Sequence, residues 1–410
     1  MRRTKYNINI SDQLSSNNSQ FLGDLLSVEP SSKSDLVSYP IRDIVQEAKK
    51  IEKSGTQMLY LNIGDPAPFG FRPPSHILEA ASAAIKENYS GYAPSAGDPE
   101  LRQTIAKYEH VSEEDVFVTA GLSEGIDLLY QALLDPGRNI LLPSPSYPLY
   151  ITKERIGYGT MDFYDCDENF EPDLDNMRKS INKYTKAILV INPNNPTGAV
   201  YSRKTLQGIL DLAGEYKLPI ISDDVYDQMV FEGEITHMRD LAKDVPVVCG
   251  NSLSKNYIYP GARAGYIAFH GQGWDTVKDA IQRLCNQRLS VNWEMQRAYI
   301  AAIKGSHDHI HKFNAELKIR KDILVKRVAE IDGLSLAAPK GAFYSFIKVE
   351  DKRWKNDTEF VRGLLKYGVV VVPGSGFAPN LKDKYFRLVF LAKPNQLEHA
   401  FDQIAKYMKS

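Results

Sequence analysis

The stretch NSLSKNYIYPGARAGY, residues 251–266, sets one lysine, Lys255, just after the apolar run VPVVCG, with Arg263 eight positions on. Lysine is almost never fully buried without a partner. Lys255 is therefore either a surface lysine at a loop tip or an amine meant to react. Other short segments carry complementary chemistry. Gly121-Leu122-Ser123 opens a helical stripe, and the backbone N–H groups at a helix start bind anions. Tyr147 sits in PSYP, an aromatic ring in a proline-fixed turn, and Asn195 sits in NPNNPTG, between prolines. Asp223 and Tyr226 follow LPIIS and add a carboxylate and a phenol. Taken singly, each has a plain alternative: a solvated lysine, a helix cap, a core tyrosine, a tight turn. Taken together, they offer an amine for an aldehyde, a cradle for an anion, a flat ring to stack on and a carboxylate for a cationic ring.

The elements that must position these residues are legible as runs. DVFVTA (115–120), NILLP (139–143), AILVIN (187–192), LPIIS (218–222), VPVVCG (245–250) and AGYIAF (264–269) read as strands, and each of the first five is followed by one of the segments above. After the first run, Ile126, Leu129, Tyr130, Leu133 and Leu134 fall on one helical face, and DPG stops the pattern. Strands alternating with helices from about 75 to 300 build βαβ units and a mostly parallel sheet. Ligands of such sheets gather at the carboxyl ends of the strands. MLYLNIG (58–64) reads as a further strand and 43–54 as a helix. From about 306 a long charged helix leads into AFYSFIKV, a helix at 357–367, VVVVPG, FRLVFLA and a last helix. That is a different, α+β register.

The joint donor set suits pyridoxal 5′-phosphate, which needs an amine, a phosphate site, a carboxylate for its ring nitrogen, donors for its phenolate oxygen and a stacking ring. The motifs NIGDPAPFGF, YAPSAGDPELR, INPNNPTGAVYS, SDDVY, SLSKNYIYPGARAGY and YFRLVF follow one another in this order. On these motifs the chain resembles the fold-type I pyridoxal-phosphate-dependent aminotransferases of classes I and II, over residues 37–410. YPIRDIVQEAKKIEKSG with LNIGDPAPFGF is similar to the alanine aminotransferase branch. The resemblance implies an α/β fold: a large domain with a mostly parallel seven-stranded sheet flanked by helices, plus a smaller α+β domain from the N- and C-terminal segments. The expected division is a flexible arm at 1–30, an N-terminal segment at 31–74 joining the small domain, a large cofactor-binding domain at 75–305 and a small C-terminal domain at 306–410.

The resemblance also implies roles. Lys255 bonds the cofactor aldehyde and later shuttles a proton. Asp223 pairs with the ring nitrogen, Asn195 and Tyr226 hydrogen-bond the phenolate oxygen, and Tyr147 stacks on the ring. Leu122, Ser123, Ser252 and Arg263 hold the phosphate, with Tyr92 reaching it from a neighbouring subunit. Arg387 grips the substrate α-carboxylate, helped by Asn195 and Gly64. Asp224 stands where glutamate is commoner in the family, one methylene shorter. Arg42, with Tyr39 beside it, is the candidate to read a distal carboxylate.

The expected activity is amino transfer between an L-amino acid, alanine on the branch resemblance, and 2-oxoglutarate, giving pyruvate and glutamate. The alternatives are an aspartate or broad-specificity or aromatic aminotransferase, or a β-lyase on the same fold. A net charge of −1 over 410 residues argues against a nucleic-acid partner or an anionic membrane surface. No uninterrupted apolar stretch is long enough to span a bilayer. Three scattered cysteines with no CxxC pair argue against a disulfide framework or zinc site. A cytoplasmic homodimer acting on amino acids and 2-oxo acids is expected. The run HDHIH, with His307, His309 and His311, reads as a solvated helical face rather than a metal site.

Overall fold

The computed structural model describes residues 29–37, 39–87 and 90–410, so the expected N-terminal arm lies almost wholly outside the described residues. Strand β1 is only Leu59–Tyr60. The main sheet is made of β2 Val116–Thr119, β3 Asn139–Ser144, β4 Phe163–Asp165, β5 Thr185–Ile191, β6 Ile220–Asp223, β7 Val247–Ser252 and β8 Gly265–His270. Its order is β2-β8-β7-β6-β5-β3-β4, with β8 antiparallel to both neighbours and every other pairing parallel. Strands in the middle of such a sheet are covered on both faces, so they read as continuous apolar runs rather than alternating ones. In β5 only Lys186 is exposed.

Two expectations about strands are corrected. The run 58–64 is not one long strand: its two paired residues lie parallel to β11, Val369–Val370, outside the main sheet. The seventh strand of the main sheet is β4, whose three residues were too few to stand out as a run. VVVVPG likewise splits. Val369–Val370 pairs with β1, whereas β12, Val372–Pro373, joins a four-stranded sheet with β9 Leu334–Ser335, β10 Tyr344–Val349 and β13 Lys384–Val389.

Helices pack on the sheet by their apolar stripes. Leu122–Leu133 buries Leu122, Ile126, Leu129 and Tyr130, one face at helical spacing. Arg203–Tyr216 is started by Ser202, whose hydroxyl accepts from Thr205 N at 3.1 Å. Helix Asp308–Ala329 carries Phe313 against Phe71, ring centroids 4.6 Å apart, tying the N-terminal segment to the C-terminal part.

The histidine run departs from the solvated face that was expected. His307 precedes this helix rather than lying in it, and both His307 and His309 are half-buried against Tyr257. Only His311 is exposed. His309 Nε2 lies 2.9 Å from the carbonyl of Asn256, next to Lys255.

Candidate active site

A cavity of about 480 Å³ opens where β6 and β7 end. Every residue expected at the site lines it except Tyr92. Tyr92 is 81 % exposed and stands away from the cavity. Asp223 is the last residue of β6 and Ser252 the last of β7, so two cavity-lining side chains leave from adjacent strand ends.

Lys255 Nζ reaches back into the cavity and donates to the Gly64 carbonyl at 2.8 Å. Burial, and then the Arg387 charge, lower its pKa from 10.5 to about 8. Asp223 is held from two sides: Tyr150 donates to Oδ2 at 2.7 Å and Val225 N to Oδ1 at 3.2 Å. Burial dominates these bonds and raises the Asp223 pKa to about 6. A carboxylate kept this dry gains most from a cationic partner. Tyr226 shares a 2.7 Å hydrogen bond with Tyr344, and Tyr147 shares one of the same length with Tyr39.

The cavity lining is cationic: Arg42, Lys255, Arg263 and Arg387 against Asp65 and Asp223. Arg387 is 1 % exposed. Its guanidinium lies between the Tyr344 and Phe377 rings, 4.7 and 4.6 Å from their centres. It donates to Asn195 Oδ1 at 3.0 Å and to the Asn62 carbonyl at 2.5 Å, and its Nε has no acceptor. Among the described residues, none of the three arginines has a carboxylate partner. Among these residues the exposed Arg263 bonds the carbonyls of Pro260 and Ala120, and the exposed Arg42 side chain at the rim has no bonded partner. A buried cation is ordinarily paired, so the buried Arg387, with two exposed arginines on the same lining, suits an anionic ligand.

Two glycines make room for it. Gly121 has φ +76°, and a Cβ there would fall 2.5 Å from Arg263. Only glycine takes this conformation freely, and it lets Arg263 close on the start of Leu122–Leu133. A Cβ on Gly64 would meet the Tyr344 hydroxyl at 2.2 Å.

Three residues of the site were missed in the sequence. Tyr150, the donor to Asp223, stands three positions after Tyr147 on one helical turn, a spacing that could have been read. Asp65 lies next to Gly64 and lines the cavity. Tyr344, whose pKa is pushed up to about 12 chiefly by burial, lies in a run that reads simply as a strand. Asp224, which stands where glutamate is commoner in the family, is buried: it accepts from Ser222 Oγ at 2.6 Å and faces Arg239 at 3.7 Å.

The model of the family described as aminotransferase class I and II matches residues 56–404. The chain belongs to the class I and II aminotransferases. It is 35% identical to glutamate-pyruvate aminotransferase AlaA of Haemophilus influenzae over 396 residues, covering 92% of this chain and 97% of that one. Its fold superposes on an alanine aminotransferase from Pyrococcus furiosus with a TM-score of 0.91 and 45% identity, over 93% of this chain and 100% of the other. An aspartate aminotransferase from Thermotoga maritima is also similar, with a TM-score of 0.83 and 30% identity, over 93% of this chain and 100% of that one. As in the class I and II aminotransferases generally, the reaction is amino-group transfer. The donor set here fits a group with an aldehyde, a phosphate and a basic ring: an amine of lowered pKa, an arginine closing on a helix start, and a buried carboxylate short of a cation.

Proposed function

We propose that this aminotransferase holds pyridoxal 5′-phosphate and moves an amino group from alanine to 2-oxoglutarate, giving pyruvate and glutamate. The observation that carries the reading is Arg387, a buried guanidinium without a carboxylate partner among the described residues, in the same cavity as the depressed amine of Lys255. Names of relatives support alanine as the donor.

When bound, the cofactor supplies an electron-withdrawing ring that accepts the electron pair left when a proton leaves the substrate Cα. Lys255 is assigned to its aldehyde and Asp223 to its ring nitrogen. Tyr147 is assigned to the ring face, and Asn195 and Tyr226 to its phenolate oxygen. Leu122, Ser123, Ser252 and Arg263 form the phosphate cradle. At pH 7.5 an amine with pKa about 8 is about one-quarter neutral, against about 0.1% for an ordinary lysine. Lys255 Nζ can therefore take the proton from the substrate Cα and return it in the reverse half-reaction. Arg387 binds the α-carboxylate through its fork, with Asn195 and the Gly64 backbone fixing the orientation. The two rings and the buried wall exclude water, which strengthens this pair.

Arg42 is assigned to the distal carboxylate of glutamate. Its exposed position lets it engage that group and stand clear for alanine, with Tyr39 held nearby by Tyr147. A second subunit would bring its own copy of Tyr92 to the phosphate; the exposed ring on this chain supports such a homodimer. The cofactor-binding part is assigned to 75–305 and the smaller part to 31–74 with 306–410, on the packing of the N-terminal segment against β11 and the long helix. Three unpaired cysteines support a reducing, cytoplasmic setting. No helix among the described residues is long and apolar enough to cross a membrane.

The test is a screen of amino donors and 2-oxo acids with the purified, cofactor-loaded protein. Alanine with 2-oxoglutarate is expected to turn over best. Preference for aspartate would move the donor assignment. Ammonia and pyruvate released without amino transfer would overturn the transaminase reading in favour of a lyase.

A further inference from the structure

Asp227 was not among the candidate residues and does not line the cavity, yet it joins the two loops that carry the chemistry. It is 2 % exposed and stands one residue after Tyr226. Its Oδ1 accepts from Asn251 Nδ2 at 3.1 Å and from Asn256 Nδ2 at 2.6 Å. Those asparagines flank the segment Ser252–Lys255 on either side. Asn251 is itself oriented: its Nδ2 also donates to the Asp224 carbonyl at 3.1 Å, and its Oδ1 accepts from Ser252 N at 2.8 Å. The backbone adds Asp224 N to the Gly250 carbonyl at 3.0 Å. A carboxylate only accepts, so it forces both amides to present N–H, and that choice frees the Asn251 oxygen for Ser252. The other carboxylate oxygen has no hydrogen bond and lies 3.9 Å from His237 Nδ1. Asp224 and Arg239 are the other charges around it.

We propose that Asp227 is a positioning residue for Lys255: through Asn251 and Asn256 its carboxylate clamps both flanks of the lysine segment to the strand end that carries Asp223 and Tyr226. The inference rests on the reading of Lys255 as the reacting amine. A lysine side chain is long and rotatable. Its amine stays in the dry corner beside Gly64 only if the backbone beneath it is fixed, and the clamp fixes it at both ends. Without the clamp the amine moves toward water and its pKa rises part of the way toward the ordinary lysine value.

The test compares wild type with Asp227→Ala, Asp227→Asn, Asn256→Ala and the Asp227→Ala/Asn256→Ala pair. Borohydride reduction of the cofactor-loaded wild type comes first, with the modified peptide identified. A label away from Lys255 sinks the functional reading. Next, the pH midpoint for acylation of Lys255 is measured by mass spectrometry on cofactor-free protein, with melting temperature alongside. The midpoint is expected to rise by about one pH unit in Asp227→Ala and Asn256→Ala, the scale of one hydrogen bond to a charged group. The double variant should shift no further than the larger single one, because both act along one path. Asp227→Asn keeps an oxygen acceptor and should recover most of the shift. In turnover, kcat should fall about ten-fold with KM for alanine held, again the scale of that bond. An unchanged midpoint with a lowered melting temperature, or additive shifts in the double variant, would overturn the clamp while leaving Lys255 in place. Should Asp227→Ala fail to fold, Asn256→Ala and Asp227→Asn carry the same comparison.

Discussion

Replacing Arg387 with alanine and Arg42 with alanine separates the two ends of the substrate. Arg387 is 1 % exposed, lies between two aromatic rings and has a free Nε, so the carboxylate it meets is desolvated. Losing one partner of such a pair costs roughly 2–5 kcal/mol. That is about 30-fold to several thousand-fold in kcat/KM, and alanine and glutamate should lose alike. Arg42 is exposed, so a pair it makes is wet and worth about 0.2–1 kcal/mol. Arg42→Ala should then leave alanine unchanged and reduce glutamate and 2-oxoglutarate by up to about five-fold. Arg387→Lys should recover only part of the loss, because a point charge does not replace a planar fork. The two half-reactions are followed separately in single turnover by cofactor absorbance, since the steady-state cycle mixes them. Equal losses for alanine and glutamate in Arg42→Ala would show that Arg42 shapes the whole site and that another group reads the distal carboxylate. A loss confined to one substrate in Arg387→Ala would refute its assignment to the shared α-carboxylate.

Lys255→Met should stabilise the cofactor-free protein at pH 7. Below about 8 both folded and unfolded wild type hold the proton, and the folded state bears the buried charge; between about 8 and 10.5 only the unfolded state holds it, so wild-type stability rises with pH. The gain, about 1–3 kcal/mol after screening by the open cavity, should shrink over that window in denaturant titrations, and a gap independent of pH would contradict the lowered pKa. Gly121→Ala should weaken binding of the cofactor and of free phosphate together, because the new Cβ meets Arg263 in a left-handed backbone; calorimetry showing unchanged phosphate affinity would remove Arg263 from the cradle. Tyr92→Phe should weaken cofactor binding by about 1.5–3 kcal/mol, and a fully active monomer in sedimentation would rule out its role across a subunit boundary.

Much of this site could be read along the chain because its parts are local. Gly121-Leu122-Ser123, Tyr147, Asn195, Asp223 and Ser252 each leave the end of an apolar run, and a parallel sheet sets such ends side by side. The order of strands did not follow from the runs. β4 has three residues and only one is buried, so its pattern is too weak to separate from a loop. The 58–64 run reads as a strand by composition, but only Leu59–Tyr60 pairs with another strand, β11, while the carbonyls of Asn62 and Gly64 turn to Arg387 and Lys255 instead. The half-buried histidines show the same limit, since helical spacing says which side chains share a face but not what covers that face.

The sequence by itself determined the kinds of groups available: one amine after a buried strand, a carboxylate and phenol at another strand end, an anion-binding helix start, and family motifs in order. Only the tertiary structure decided their state. The depressed Lys255 amine depends on burial and on Arg387, which arrives from β13. Arg387 in turn is fixed by Asn62, Asn195, Tyr344 and Phe377, contributed by four separate segments. Asp223 is kept dry and bonded by Tyr150 from a different strand connection. Desolvation and charge coupling are sums over neighbours in space, and those neighbours lie far apart along the chain, where periodicity and motif spacing carry no record of them.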